Sequence, residues 1–473
     1  MSATRGQAPS TRAPMLLRLL AVSTAVLSCT LLHHGAHAAT FADSATAAEG
    51  RPIAVVNARP FHSEVLSGAM AALAPVADRV AVYMDQYVFK GKDGFRQLVW
   101  SYPGLMLRTP QRAAGEGSVA RHRLVFFLSP EASLGYTRWF INASRPEVVV
   151  HMMHNADDVE AVKQLLEMTS GSSSGSSGNT AGGGGVVTKL VALSPHVAAA
   201  LEQRGFKADW WLAAWPPAAA EEHEQDSEGR RGAGGSKSRA GGGGGDDIYA
   251  CPAFRNGSVP SGPWGFACQG RQDSRRRSYD TLWRELQAAV SAATPAAPGG
   301  TSGNARSGSS NGQRAAAAAA PPPPRLKVLG RSVGPQGGAG VPVAVRPLVS
   351  RVTNAPYPLF YRHLACSLAL LPLFAEDSYY STKFSSTVLA SLTTGTPILA
   401  DERLLRAYSF LQPAEQHVWL QAPGEGLVAA MQRLAAEPAQ AAQQRRAGLV
   451  ALRTRLNREA RAYLLALLGE GGP

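Results

Sequence analysis

Short apolar runs, each followed by a stretch whose apolar residues recur at helical spacing, constrain this chain more than any other feature. Residues 53–56 form the first such run, and residues 65–73 follow with helical periodicity. Strand signals recur at 79–83, 124–128, 148–153 and 190–193. A helix is expected over 157–168, where Val159, Val162, Leu165 and Leu166 share one face, and another from Ser194-Pro195 to Gln203. Strands that are apolar on both sides must be covered on both faces. Their alternation with amphipathic helices therefore predicts a parallel sheet between helical layers.

The pattern starts again in the second half. Strands are expected at 266–268, 326–329, 341–345, 368–371, 397–400 and 417–420. Helices are expected at 279–292, up to Cys366, over 402–408, and over a long C-terminal stretch, 439–468, with Leu449, Leu452, Leu456, Tyr463 and Leu467 near one face. The fold class is α/β: two tandem Rossmann-like domains, 51–215 and 248–468, closed by a C-terminal helix. With 473 residues, 45% of them hydrophobic, the chain can fill two such cores. Three segments lack apolar periodicity and read as flexible: a Gly/Ser insertion at 170–185, a charged, Gly-rich linker at 216–247, and an insertion at 295–324 that ends in four prolines. In open α/β sheets ligands sit beyond the carboxyl ends of the strands, so the cleft between the two domains is where chemistry is expected.

Residues 1–42 contain no acid. Arg5, Arg12 and Arg18 precede an apolar run at 19–32, and Ala36-His37-Ala38 offers a small-x-small cleavage pattern. This reads as a secretory signal peptide over 1–38, with an organelle transit peptide or an uncleaved membrane anchor as the alternatives. The sequons Asn142-Ala143-Ser144 and Asn256-Gly257-Ser258 suit the secretory route. Of the mature cysteines, Cys251 and Cys268 are close enough in sequence to pair, and no cysteine–histidine spacing suggests zinc. The net charge of +13 is scattered and does not interleave with aromatics, which argues against a nucleic-acid partner.

Two stretches concentrate chemistry. In Tyr379 to Asp401, a polar loop leads into a helix that opens on Ser385, Ser386 and Thr387 and stops at Gly395, and a short strand follows. Lys383 stands two residues ahead of that helix, and with the free N–H groups of its first turn would make a phosphate cradle. Arg275, Arg276 and Arg277 crowd the start of another helix, where the macrodipole disfavours cations unless an anion is bound. An ordinary solvated helix start is the other reading of those arginines.

With Gln269-Gly270-Arg271 before Arg276-Arg277-Ser278-Tyr279, and with Leu370-Leu371-Pro372 to Glu376 followed by Lys383 to Asp401, the chain resembles the two-Rossmann (GT-B) glycosyltransferases. Val191 to Val197 resembles the strand-Ser-helix unit near the end of that family's acceptor domain. The Arg-Arg-x-Tyr and Lys-x-Ser-Ser-Thr motifs look closer still to a loosely described group of fungal and algal transferase-like proteins. The resemblance implies transfer of a sugar from a nucleotide-sugar donor to a glycan, protein or small-molecule acceptor. It implies a donor and phosphate site at Gly270, Arg271, Arg276, Arg277, Lys383, Ser385, Ser386 and Thr387. It also implies a catalytic base at His62, in the loop after the first strand, where Glu64 stands near enough to orient it. Glu376 is expected beside the donor sugar, and His151 and His154 on the acceptor side.

No Asp-x-Asp occurs, so no metal is expected and no cofactor beyond the donor itself. A pair of glutamates eight positions apart, usual in retaining members, is absent, since Ala390 and Thr382 occupy those places. The stereochemical outcome therefore stays open. So do two other functions on the same scaffold: a binding protein without transfer activity, and a nucleotide-sugar epimerase.

Overall fold

The computed structural model describes residues 51–90, 106–109, 113, 119–170, 186–215, 251, 265–270, 273, 275–294, 321–331 and 340–469. The expected leader, the linker at 216–247, nearly all of both insertions, the Asn256 sequon and Arg271 lie outside the described residues.

The first half runs β1 (Ile53–Asn57), α1 (Ser63–Leu73), β2 (Val80–Met84), α2 (Gln86–Lys90), β3 (Met106–Arg108), β4 (Leu124–Leu128), α3 (Leu134–Ser144), β5 (Val148–Met153), α4 (Val159–Ser170), β6 (Val187–Ala192), α5 (Pro195–Gln203) and β7 (Ala208–Trp210). Its seven strands make one sheet in the order β3-β2-β1-β4-β5-β6-β7, with every pairing parallel.

The second half runs β8 (Phe266–Gln269), α6 (Asp280–Ala293), β9 (Leu326–Gly330), β10 (Val349–Thr353), α7 (Tyr357–Ala365), β11 (Ala369–Leu370), α8 (Ser386–Thr394), β12 (Ile398–Ala400), α9 (Glu402–Ala407), β13 (Val418–Leu420), α10 (Leu427–Ala435) and α11 (Ala439–Leu467). Its six strands are also parallel, in the order β10-β9-β8-β11-β12-β13. Both sheets follow the doubly wound pattern of two tandem Rossmann-like domains. In each, the order reverses between the first and fourth strands, β1 beside β4 and β8 beside β11, which opens a crevice at the strand carboxyl ends.

The strands are buried because both faces are covered. In β5, Val148, Val150 and Met152 join a core with α1 and Trp211 to Trp215, while Val149 packs with Phe127 and Phe140 on the other face. Fully buried side chains such as Leu66, Phe126 and Leu449 contribute about 1.5–3 kcal/mol each.

The C-terminal helix α11 packs on both halves. Its Arg446 donates to the carbonyls of Ala365 and Ser367 at 2.9 and 2.6 Å, and Arg453 donates to those of Leu392 and Thr393 at 3.3 and 3.0 Å. These guanidiniums close the carboxyl ends of α7 and α8, where a cation opposes the macrodipole favourably. Further along, the Ala460 carbonyl accepts from Trp211 Nε1 at 2.9 Å, and the Asn457 side chain brackets the backbone N–H and C=O of Ala214, each at 2.9 Å.

Two expectations are corrected. The segment expected as a strand at 341–345 turns instead into a 3-10 helix, Val343–Leu348, and the edge strand is the next segment, β10. Pro342 and Pro347 offer no N–H to a ladder, and Val343 is 72% exposed, so its apolar character does not mark a buried strand. Cys251 pairs with Cys366, across a Cα–Cα distance of 4.9 Å, and not with Cys268. Cys268 lies on the central strand β8, fully buried in the second core, where no partner thiol among the described residues reaches it.

Candidate functional site

At the end of β8 the chain turns at Gly270, whose φ of +118° is readily adopted only by glycine. A Cβ there would stand 2.9 Å from Arg277 Nη2, so the turn also makes room for that guanidinium. The Asp273 carbonyl accepts the N–H groups of both Arg276 and Arg277, at 2.9 and 3.0 Å, and folds the arginine run back under the strand end.

The three arginines then diverge. Arg275 pairs with Asp273 at 3.0 Å, and Arg276 is exposed. Arg277 is 5% exposed. Its Nε donates to the Gln269 carbonyl at 3.2 Å and its Nη2 to Thr387 Oγ1 at 3.1 Å, and it lies over the rings of Phe374 and Tyr379. Burial depresses its pKa, and among the described residues no carboxylate pairs with it.

Helix α8 starts beside this guanidinium. Ser385 is its N-cap, with Oγ accepting from the Thr387 N–H at 3.2 Å, and Gly395 ends it in the left-handed conformation. The Tyr408 hydroxyl accepts from the Ser385 N–H at 3.1 Å and donates to the Tyr379 carbonyl at 3.0 Å, tying the helix start to the loop before it. Ser385 and Thr387 are buried, and Ser386 is exposed in the first turn. Lys383 Nζ donates to Glu376 Oε2 at 3.3 Å, and both side chains are roughly one-third exposed (34% and 39%). The same carboxylate oxygen accepts from Ser378 Oγ at 2.9 Å. The Ser378 bond, then Lys383 and Arg276, hold the Glu376 carboxyl below its ordinary range.

From the other half, the loop after β1 brings His62 forward as the N-cap of α1, with φ 59° and ψ 30°. A non-glycine residue in the left-handed region is strained, and such strain concentrates at functional positions. Asn57 Nδ2 donates to the Phe61 carbonyl at 3.0 Å and pins this loop. The His154 ring lies against that of His62, with centroids 3.9 Å apart and planes tilted by 32°. Burial lowers the pKa of His62, with Glu64 acting the other way. His154 falls well below the usual range, first by burial and then by the charge His62 would carry.

The loop that carries Lys383 closes onto the end of β5. The Phe384 N–H donates to the His154 carbonyl at 3.2 Å, and the Ala156 N–H to the Thr382 carbonyl at 2.9 Å. Asn155 pairs with Lys383 in an antiparallel bridge, and Thr382 Oγ1 donates to Asp157 at 3.1 Å.

His151 does not reach the acceptor side expected for it. It lies within β5, fully buried and stacked on Phe127, with no hydrogen-bond partner among the described residues at either ring nitrogen, and burial pushes its pKa down to about 3. Three residues later His154 has passed the strand end, and that offset separates an interior ring from one at the cleft.

Sequence reasoning did not single out His196 or Arg403. His196, in the first turn of α5, sets its ring nitrogens 2.9 and 3.1 Å from the carbonyls of Ala407 and Lys383. It lines a cavity of about 480 Å³ with Asp377, Tyr380, Ser381, Arg403, Arg406 and Ala407. Arg403 donates to Asp377 at 2.7 Å and stacks over Tyr380. The one signal for His196 was its place just beyond a strand's carboxyl end. Among the described residues no three His, Cys, Asp or Glu side chains gather where a metal ion could sit.

No protein-family model matches the chain, and no curated protein matches it in sequence. Solved structures do match its overall course. HepE from Anabaena in complex with UDP-glucose is 12% identical, with 88% of this chain and 99% of that one covered and a TM-score of 0.47. AviGT4, a glycosyltransferase involved in avilamycin A biosynthesis, is 13% identical over 88% and 98%, with a TM-score of 0.43. The glycosyltransferase SnogD from Streptomyces nogalater is 12% identical over 89% and 99%, with a TM-score of 0.37. Likeness at this level transfers no activity to the chain, whose functional reading rests on its own site.

Proposed function

We propose that the chain is a glycosyltransferase that takes a sugar from a nucleoside-diphosphate donor held by the second half and passes it to a hydroxyl group presented by the first, without a metal. One observation carries this reading. A buried guanidinium, Arg277, stands at the sheet's switch point beside the start of α8 with no carboxylate to neutralise it among the described residues. A buried cation is costly without a counter-charge, and an anionic ligand would supply one. A diphosphate at the α8 N-terminus would meet Arg277, Arg276, Lys383 and the Ser386 N–H, which together offset the charge that develops as the leaving group departs.

In the transfer step the acceptor oxygen forms a bond to the anomeric carbon while the bond from that carbon to the diphosphate oxygen breaks. The acceptor proton passes to the neutral imidazole of His62, and the electron pair leaves with the diphosphate. Glu376, held ionised by Ser378 and Lys383, would accept hydrogen bonds from donor-sugar hydroxyls. The Cys251–Cys366 disulfide supports an oxidising compartment, in keeping with a secretory leader.

Calorimetric titration of the full chain with a panel of nucleoside diphosphates, in chelator, tests the donor site. We expect one base to bind, and Lys383→Ala to weaken it about tenfold or more. Failure of every nucleoside diphosphate to bind would refute the reading.

A further inference from the structure

His62 is held in a way that a simple loop histidine would not require. Its backbone is in the left-handed region, and its half-buried ring is flanked by the edge of Phe61, at 5.3 Å and 84°, and by the face of His154, at 3.9 Å. His154 is fixed in turn by the second half, through the Phe384 N–H on its carbonyl and the Asn155–Lys383 bridge beside it. Its Nε2 is buried without a hydrogen-bond partner among the described residues. Two imidazoles lying face to face cannot hydrogen-bond to one another, so the pair is not a proton relay. One ring instead shields the other from water.

Resting on the reading of His62 as the base, we propose that His154 is its positioning residue. Its ring covers one face of the His62 imidazole, excludes water and makes the neutral, proton-accepting form the resting state. The charged and titratable groups around His62 act in both directions. Glu64, from α1, acts against the shielding, His154 itself would repel a second proton, and Lys383, bridged to Asn155 beside His154, directs its ammonium to Glu376. Desolvation disfavours the charged imidazolium, so uncovering His62 raises its protonation midpoint.

The test is an NMR titration of the full chain carrying carbon-13-labelled histidine, with the His62 signal assigned from a His62→Asn variant. His62 is expected to titrate below the usual value of about 6.5 in the wild type. It should move up toward that value in His154→Ala and keep the wild-type midpoint in His154→Phe, which restores the covering ring. In the transfer assay the acidic limb of kcat/KM should follow the same shifts, with KM for the donor unchanged. The proposal is overturned if His62 titrates identically in His154→Ala and wild type, or if His154→Phe behaves like His154→Ala. Midpoints that move as expected in a protein that transfers no sugar would uphold the pairing and refute the proposed function instead.

Discussion

Replacing Arg277 by methionine removes a buried charge while keeping most of its volume, and the structure sets what this should cost. In the free protein the guanidinium gives three hydrogen bonds, to the Gln269 carbonyl, to Thr387 Oγ1 and, at 3.5 Å, to the Arg276 carbonyl. Bonds from a charged donor contribute about 1.5–3 kcal/mol each. Against them stands the desolvation of a cation that is 5% exposed, itself several kcal/mol after relaxation. The Thr387 hydroxyl keeps its bond from Gln269 Nε2 at 3.2 Å. The ligand-free stability should therefore change by no more than about 2 kcal/mol. With a phosphate seated about 4 Å away, the attraction at an effective dielectric of 20 is about 4 kcal/mol. Its loss should weaken nucleoside-diphosphate binding by about a hundred- to a thousandfold. Urea unfolding and calorimetric titration on the same preparation measure both numbers. An unchanged Kd would refute the argument that the unpaired charge awaits an anion. A ligand-free loss above about 4 kcal/mol would make Arg277 a structural group.

Four further outcomes are expected. Glu376→Gln should cost less than about 1 kcal/mol of stability, because the Lys383 pair is partly exposed, and should free Lys383; the free nucleoside diphosphate should bind more tightly while sugar transfer falls, as titration and a transfer assay would show. His151 has a folded-state pKa near 3 against about 6.5 unfolded, so its contribution to stability is complete above about pH 6.5 and lost as the pH falls toward 3; urea midpoints of His151→Phe and wild type should diverge, in favour of the variant, from neutral pH to about pH 4. Removing the Cys251–Cys366 bridge, which spans a sequence separation of 115, should cost up to about 4–5 kcal/mol by chain entropy and lower Tm by several degrees in a thermal scan. Asn457→Ala strips the Ala214 backbone of both partners and should cost about 2–3 kcal/mol, read by denaturant unfolding.

The alternation of strand and helix was legible wherever a run was apolar on both sides. β4 and β5 were expected at the bounds observed, and most other strands were displaced by a residue or a few. Among the elements that escaped are β3, Met106–Arg108, and β7, Ala208–Trp210, each only three residues long, β10, where Arg351 interrupts an edge strand, and the helices α3 and α10. At the site, sequence position brought out His62, Lys383 and the Ser385 helix, since loops after strands are where a doubly wound sheet gathers its ligands. It could not tell that Arg276 is exposed while Arg277 is buried, because that depends on the tight turn built on the Asp273 carbonyl. Nor could it foresee His62 against His154, a contact assembled by two strand ends far apart in the chain. The cysteine pairing was misjudged for the same reason, since nearness in sequence counted for more than the sheet that isolates Cys268.

The bracket that Asn457 places around Ala214, and the bond from Trp211 to Ala460, also set an order of events during synthesis. The last buried segment of the first half, Trp211 to Trp215, anchors its Trp211 N–H on the Ala192 carbonyl but takes the partners of the Trp211 indole and the Ala214 backbone from a helix near the carboxyl terminus. As the chain emerges from the ribosome, the first sheet can form, but this segment stays without those partners until α11 has been made. Until then its tryptophans present apolar surface that holding chaperones would recognise, so the first half to be made is among the last to finish folding.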